Sequence, residues 1–185
     1  MNFCSHCGKT VEFSIPAGDD RPRFHCLSCG TVHYQNPRIV AGTLPVQGSR
    51  VLLCRRAISP RKGYWTLPAG FMENAETTVE AAARETREEA CAEVDIHGLY
   101  TMINLPHINQ VYMIFLADLK GGFDIGPESL EVALFEETEI PWEEIAFPTI
   151  ERTLRHFYAD RRTNDFPLRI SDITAEDRER YFGSA

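Results

Sequence analysis

Three carboxylates crowd into one turn of this chain, Glu85, Glu88 and Glu89, with Arg84 directly before them. On a helix they are i, i+3 and i+4 neighbours, close enough to repel and to weaken an isolated helix. A cation is therefore expected on them, because Arg84, one turn before Glu88, answers only part of the charge. Hard oxygen ligands select Mg²⁺ or Mn²⁺ over zinc. Three carboxylates cannot fill an octahedral shell, which leaves room for water and substrate phosphate oxygens, as metal-assisted phosphoryl chemistry requires. A second group is Cys4-Ser-His-Cys7-Gly and Cys26-Leu-Ser-Cys29-Gly, two C-x2-C knuckles each followed by glycine. Each pair of thiolates can grip one ion, and together they make a tetrahedral Cys4 site for Zn²⁺. Two disulfides are the competing reading, disfavoured in a reducing compartment. His6, His25 and His33 lie near enough in sequence to be considered as substitute ligands.

Around the carboxylates, Gly70, Glu76, Arg84, Glu85, Glu88 and Glu89 stand at fixed intervals. The stretch from Gly70 to Ala92 resembles the Nudix box, G-x5-E-x7-R-E-U-x-E-E-x-G-U, where U is aliphatic. Thr86, Cys91 and Ala92 depart from it, and none of the three is a metal ligand. Tyr34-Gln35-Asn36-Pro37, the run from Trp65 to Gly70 and the run from Gly126 to Glu131 resemble a zinc-ribbon subgroup of that family. The subgroup includes FAD pyrophosphatases and ADP-ribose pyrophosphatases; the SQPWPFP-type stretch that marks NADH pyrophosphatases is absent.

The resemblance implies an α/β fold, an α/β/α sandwich around a mixed sheet, preceded by a small zinc ribbon. It implies Mg²⁺-dependent hydrolysis of a nucleoside diphosphate linked to a moiety X, giving a nucleoside monophosphate and X-phosphate. Metal would be held by Glu85, Glu88, Glu89 and the carbonyl of Gly70. Glu88, Glu89 or Glu131 would take the proton of the attacking water, with Arg84 orienting the cluster and Glu76 anchoring the loop before the helix. In many Nudix relatives a glutamate on the strand or loop after the box reaches the metals or serves as base; Glu131 matches the strand position and Glu128 the loop position. NADH or nucleoside triphosphate hydrolysis is the nearest alternative. Rivals of another class are a Nudix domain that has lost catalysis and senses a ligand, and a zinc-ribbon nucleic-acid module.

The elements that must position these residues follow from local signals. Thr77 and Glu80 form a capping-box signature, so a helix begins near Thr77. At roughly 100° per residue, Val79, Ala82, Ala83, Thr86 and Ala90 share a side and are expected to face the core, with the three glutamates on another side. Cys91 stands where a helix-ending glycine belongs, so either the helix runs on or Cys91 takes the strained left-handed conformation. Strands are expected over Arg38 to Val46 and Arg50 to Arg56, joined by Gln47-Gly48-Ser49, and over Glu93 to Ile103, Gln110 to Leu119 and Val132 to Phe135. Cys54 is expected to be buried rather than reactive. Tyr64, Trp65 and Phe71 flank the site and suit either stacking on a base or packing in the core. Ile140-Pro141-Trp142 predicts a short helical turn, and Pro148 opens a helix to about Tyr158.

Charge separates along the chain. From Asn36 to Met72 there is no acid, but there are Arg38, Arg50, Arg55, Arg56, Arg61 and Lys62; from Glu73 to Asp95 acids dominate. A basic segment feeding an acidic helix suits a ligand that brings phosphates to a divalent ion, and Arg55 and Arg56 are the candidates to meet it. The net charge of −8 disfavours nonspecific binding to nucleic acid or anionic membrane. The ribbon supports this, since Lys9, Arg21 and Arg23 are balanced by Glu12, Asp19 and Asp20 rather than forming a basic stripe. No apolar run is long enough to cross a membrane. No basic segment precedes an apolar one at the N-terminus, so a cytoplasmic protein is expected. The expected organisation is a ribbon over residues 1–35, a Nudix domain over 36–160, and a tail over 161–185 that docks on the body or on a partner subunit. A homodimer is expected, as many relatives are dimers.

Overall fold

The computed structural model describes residues 1–183 and divides into two units, one ending at Pro37 and one beginning at Arg38. In the first, strands β1 (Glu12–Ser14), β2 (Arg23–His25) and β3 (Val32–His33) form a small antiparallel sheet. The two knuckles repeat one hydrogen-bonding pattern. The Gly8 amide donates to the Cys4 carbonyl (2.9 Å) and the Gly30 amide to that of Cys26 (2.8 Å). Both turns need a left-handed residue, and Gly8 (φ 72°) and Gly30 (φ 75°) supply it.

The second unit is built on β4 (Arg38–Gln47), β5 (Arg50–Arg56), β6 (Trp65–Thr66), β7 (Ala69–Phe71), β8 (Glu93–Leu105), β9 (Gln110–Lys120), β10 (Ser129–Phe135) and β11 (Arg169–Asp172). Six of them make a mixed sheet in the order β10-β5-β4-β9-β8-β11, with β4 parallel to β9 and β11 parallel to β8. The β4–β5 hairpin closes through Gly48-Ser49 alone, because Gln47 still pairs with Arg50. Farther along, β4 and β5 part; β7 pairs with β4 at Val40 to Gly42, and β6 pairs with β5. The split opens the sheet where Gly70 lies.

Helices α1 (Thr78–Ala90) and α2 (Pro148–Arg161) cover opposite faces. Alternation along β4 directs its side chains: Ala41 joins Ala81 and Ala82 beneath α1, whereas Leu44 joins Ile150, Leu154 and Phe157 beneath α2. This is the α/β/α sandwich around a mixed sheet. Among the described residues no helix is long and apolar enough to cross a membrane.

The capping box forms as read: Thr77 accepts from the Glu80 amide, and the Glu80 carboxylate accepts from the Thr77 amide. Cys91 ends α1 in the left-handed conformation (φ 48°) with its thiol exposed, rather than continuing the helix. The inward stripe differs from the hydropathy reading. It comprises Ala81, Ala82, Thr86, Glu89 and Ala90, while Val79 is exposed. The stripe is turned toward the carboxylates, and a pattern that counts only apolar residues excludes Glu89 from the interior. The Thr86 hydroxyl donates to the Ala82 carbonyl and meets Thr43 at 2.6 Å, so its polar atom is satisfied.

Beyond α2, β11 adds to the sheet edge and α3 (Ala175–Phe182) follows, capped by Thr174. The tail is fastened to the body: the Ile173 amide donates to the Asn104 carbonyl (2.9 Å), and the Tyr181 hydroxyl donates to the Ile145 carbonyl (3.2 Å). Arg169 and the Tyr100 hydroxyl both donate to the buried Asp160 carboxylate.

Candidate active site

Gly70 sits in β7 opposite Ala41, directly beneath the carboxylate of Glu85. A Cβ at position 70 would lie 2.4 Å from the Glu85 carboxylate atoms, so glycine there lets this carboxylate rest on the backbone, and a larger residue would displace it. One turn on, the Ala69 amide donates to Glu89 (3.1 Å). Arg84 ties the start of the box to its end. It donates to both Glu76 oxygens (3.0 and 2.8 Å), to Glu85 (2.7 Å), to Glu88 (2.9 Å) and to the Phe71 carbonyl (3.2 Å). Glu76 also accepts from the Glu73 amide at 2.6 Å, fixing the loop that enters α1. The sequence reading paired Arg84 chiefly with Glu88; its bidentate partner is Glu76, the geometry that suits a guanidinium best.

The three glutamates differ in environment. Glu89 is only 5% exposed and Glu85 is largely buried, while Glu88 reaches solvent. Burial pushes the Glu89 carboxyl up to about 8, opposed by the Ala69 amide and the charge of Arg56 and aided by Glu85 and Glu128. Burial also raises Glu85, against the pull of Arg84. Glu76 goes the other way, to about 2, held there by Arg84. Two desolvated carboxyls side by side, each disfavoured as an anion, fit a site completed by a divalent cation.

A loop brings a fourth carboxylate. The Asp124 amide donates to the Ala90 carbonyl (2.9 Å), the Gly126 amide to the Glu89 carbonyl (3.2 Å) and the Ser129 hydroxyl to the same Glu89 carbonyl (2.7 Å), docking the loop on the C-terminal end of α1. A Cβ at Gly126 would lie 1.9 Å from the Glu88 carbonyl oxygen. Glu128, on this loop, is close enough for its charge to act on Glu85 and Glu89.

These groups floor a cavity of about 1110 Å³. Of the expected site residues, Gly70, Phe71, Arg84, Glu85, Glu88, Glu89, Arg56 and Glu128 line it. Glu131, Arg55, Tyr64 and Trp65 do not. The β10 register shifts between Ser129 and Glu131, and Glu131 pairs with Arg55 on the neighbouring strand at 3.6 Å. Arg55 also donates to the Gly63 carbonyl. Trp65 is buried against Phe135, ring centroids 4.8 Å apart, and Tyr64 lies under the guanidinium of Arg61. The cavity lining also contains residues without a role in the sequence reading, among them His107, Tyr112, Phe147, Arg178 and Phe182. Arg61, in sequence one member of the basic run, lines it too. Together they come from five separate segments, and no local spacing announces them.

In the ribbon, the sulfurs of Cys4, Cys7, Cys26 and Cys29 all lie within 4.8 Å of one another. Cys4 and Cys29 are 3.7 Å apart, Cys7 and Cys26 3.5 Å. Four thiolates around zinc at ~2.3 Å stand about 3.8 Å apart, and a disulfide would bring sulfurs to ~2.05 Å. The donor set fits zinc. His25 instead bonds Ser14 (2.6 Å).

Comparison with known proteins agrees with this geometry. Residues 2–35 match the family described as Nudix N-terminal and residues 36–160 the NUDIX domain. The crystal structure of a NUDIX hydrolase from Nitrosomonas europaea superposes with a TM-score of 0.91 at 51% identity, covering 94% of this chain and 99% of that one. An NAD-capped RNA hydrolase NudC from Chromobacterium violaceum is 31% identical over 83% of this chain, which spans 57% of that relative's length. An ADP-ribose pyrophosphatase from Methanocaldococcus jannaschii is 28% identical over 58% of this chain and 67% of its own. With the box residues gathered on one cavity floor and the domain pattern matched from Asn36 to Asp160, the chain belongs to the Nudix family.

Proposed function

We propose that this protein hydrolyses the diphosphate linkage of a nucleoside diphosphate bound to a second moiety, of the FAD or ADP-ribose type, with Mg²⁺ or Mn²⁺ as cofactor. The observation that carries this reading is the pair of desolvated carboxylates, Glu85 resting on Gly70 and Glu89 bonded to the Ala69 amide, in a cavity that arginines also line. Glu85, Glu88, Glu89 and the Gly70 carbonyl are the groups that would hold the cation. When bound, such an ion offsets the charge of a diphosphate and lowers the pKa of water at neutral pH.

The protein's own residues do the rest. Arg84 holds Glu85 and Glu88 in register and keeps them from repelling one another apart. Arg56, whose side chain lines the cavity and donates to the Pro60 carbonyl, presents positive charge to phosphate oxygens. A water oxygen forms a bond to one phosphorus while the bond from that phosphorus to the bridging oxygen breaks. The water proton goes to a carboxylate, for which Glu88, Glu89 and Glu128 are the cavity-lining candidates; the bridging oxygen leaves with the second phosphate. Proton transfer of this kind contributes on the order of 10²–10⁴-fold.

The experiment is a screen with Mg²⁺ across FAD, ADP-ribose, NADH and sugar nucleotides, in which added alkaline phosphatase frees inorganic phosphate from the monophosphate products, run beside Glu85→Gln. Cleavage of at least one compound by the wild type, and a loss of at least about 100-fold in kcat in the variant, is expected. Equal turnover by both proteins would sink the assignment. NAD-capped RNA belongs in the same screen, because of the similarity to NudC proteins.

A further inference from the structure

The matched domain ends at Asp160, yet the cavity does not. Its lining includes Ile173, Arg178 and Phe182, all from the C-terminal segment that carries β11 and α3. This segment is anchored through β11, Ile173 and Tyr181, so it holds a fixed place beside the cavity.

What it brings there is a ladder of alternating rings and cations. The Arg61 guanidinium stands 3.6 Å from the Tyr64 ring centroid and 4.9 Å from that of Phe182; the Arg178 guanidinium stands 5.4 Å from the Phe182 centroid. Two like charges share one ring. Among the described residues neither guanidinium has a salt-bridge partner, and the Arg61 Nε is buried without a hydrogen-bond acceptor. The lining acids (Glu73, Glu85, Glu88, Glu89 and Glu128) all belong to α1, to the loop before it or to the β9–β10 loop docked on its C-terminal end. The cavity therefore joins an acidic floor suited to cations, where Arg84 is already engaged, to a cationic rim of Arg61 and Arg178 held in place by aromatic faces.

We propose that Arg61 and Arg178, braced by Phe182, form a subsite for an anionic group on the distal part of the substrate, a phosphate ester additional to the scissile diphosphate. The proposal rests on the diphosphate reading for the identity of the bound class. The floor receives the scissile linkage, and the rim then distinguishes substrates by whether they carry further phosphate. Guanidinium groups suit this role because they present several donors in a plane to phosphate oxygens.

The test is equilibrium binding of ADP-ribose and ADP-ribose 2′-phosphate by calorimetry, with chelator present so that no divalent ion contributes. The wild type is expected to bind the 2′-phosphate compound at least tenfold more tightly. Arg178→Ala and Arg61→Ala are each expected to reduce that ratio at least fivefold, while Arg180→Ala, on the same helix but off the cavity, preserves it. A wild-type ratio near one, no binding of either compound, or an equal effect of Arg180→Ala would overturn the subsite. Activity with Mg²⁺ is read separately. Selective binding without hydrolysis of either compound would defeat the diphosphatase reading and keep the subsite; hydrolysis of both with equal affinities would do the reverse.

Discussion

Arg84 makes more polar contacts in the site than any glutamate it serves, and its loss would release Glu76, Glu85 and Glu88 together. Spacing in the sequence was enough to find it, because all four residues sit on one helix or one turn before it. Glu131 and Glu128 show where spacing stops helping. They are three residues apart, both acidic and both plausible, and only the register shift at the start of β10 separates the one beside α1 from the one paired with Arg55. Glu128→Gln is expected to lower kcat on the order of 100-fold, and Glu131→Gln to leave it unchanged, in a steady-state assay. Asp160 offers a test by pH. Its pairing with Arg169, helped by the Tyr100 hydroxyl, holds the carboxyl below its ordinary value. A depressed carboxyl stabilises the fold above its unfolded pKa of about 3.9, and that stability is lost as pH falls through the lower folded value. Asp160→Asn is therefore expected to lower Tm by about 5 °C at neutral pH and to flatten the acid limb of the Tm-against-pH curve.

The helix α1, the short strand β7 and the loop before β10 behave as one element. The junction of the loop with α1 is made by backbone: Gly126 fits against the Glu88 carbonyl, and the Gly126 amide donates to the Glu89 carbonyl. Gly126→Ala must move a main chain rather than a side chain, and is expected to cost about 1–3 kcal/mol, seen as a drop of several degrees in Tm, with a loss of activity. The four long strands and both major helices were legible from alternation, capping and proline placement. The two-residue pairing of β6 was not, since Trp65-Thr66 is a strand only because β5 has parted from β4 there. Trp65 likewise reads as a site aromatic in sequence and is a core residue in space, packed on Phe135. The rest of the cavity lining escaped for the same reason: the segments bearing His107, Phe147 and Phe182 meet only after the sheet and α2 have formed.

For the molecule as a whole, stability comes from two independent sources. The second unit owns the large apolar clusters, whereas the ribbon has few buried residues, chiefly Cys4 and Cys26, and must rely on its metal. Stripping zinc with a strong chelator, or Cys4→Ser, is expected to abolish amide protection within residues 1–37. The cooperative melt of the remainder should persist, and hydrogen exchange with mass spectrometry reads both at once. Bound zinc also occupies four of the six thiols, and Cys54 is buried. Cys91 is then the one sulfhydryl open to a maleimide, standing at the terminus of the helix that carries the glutamates. A fluorophore attached there would report on the neighbourhood of the nucleotide as it arrives, without any engineered mutation.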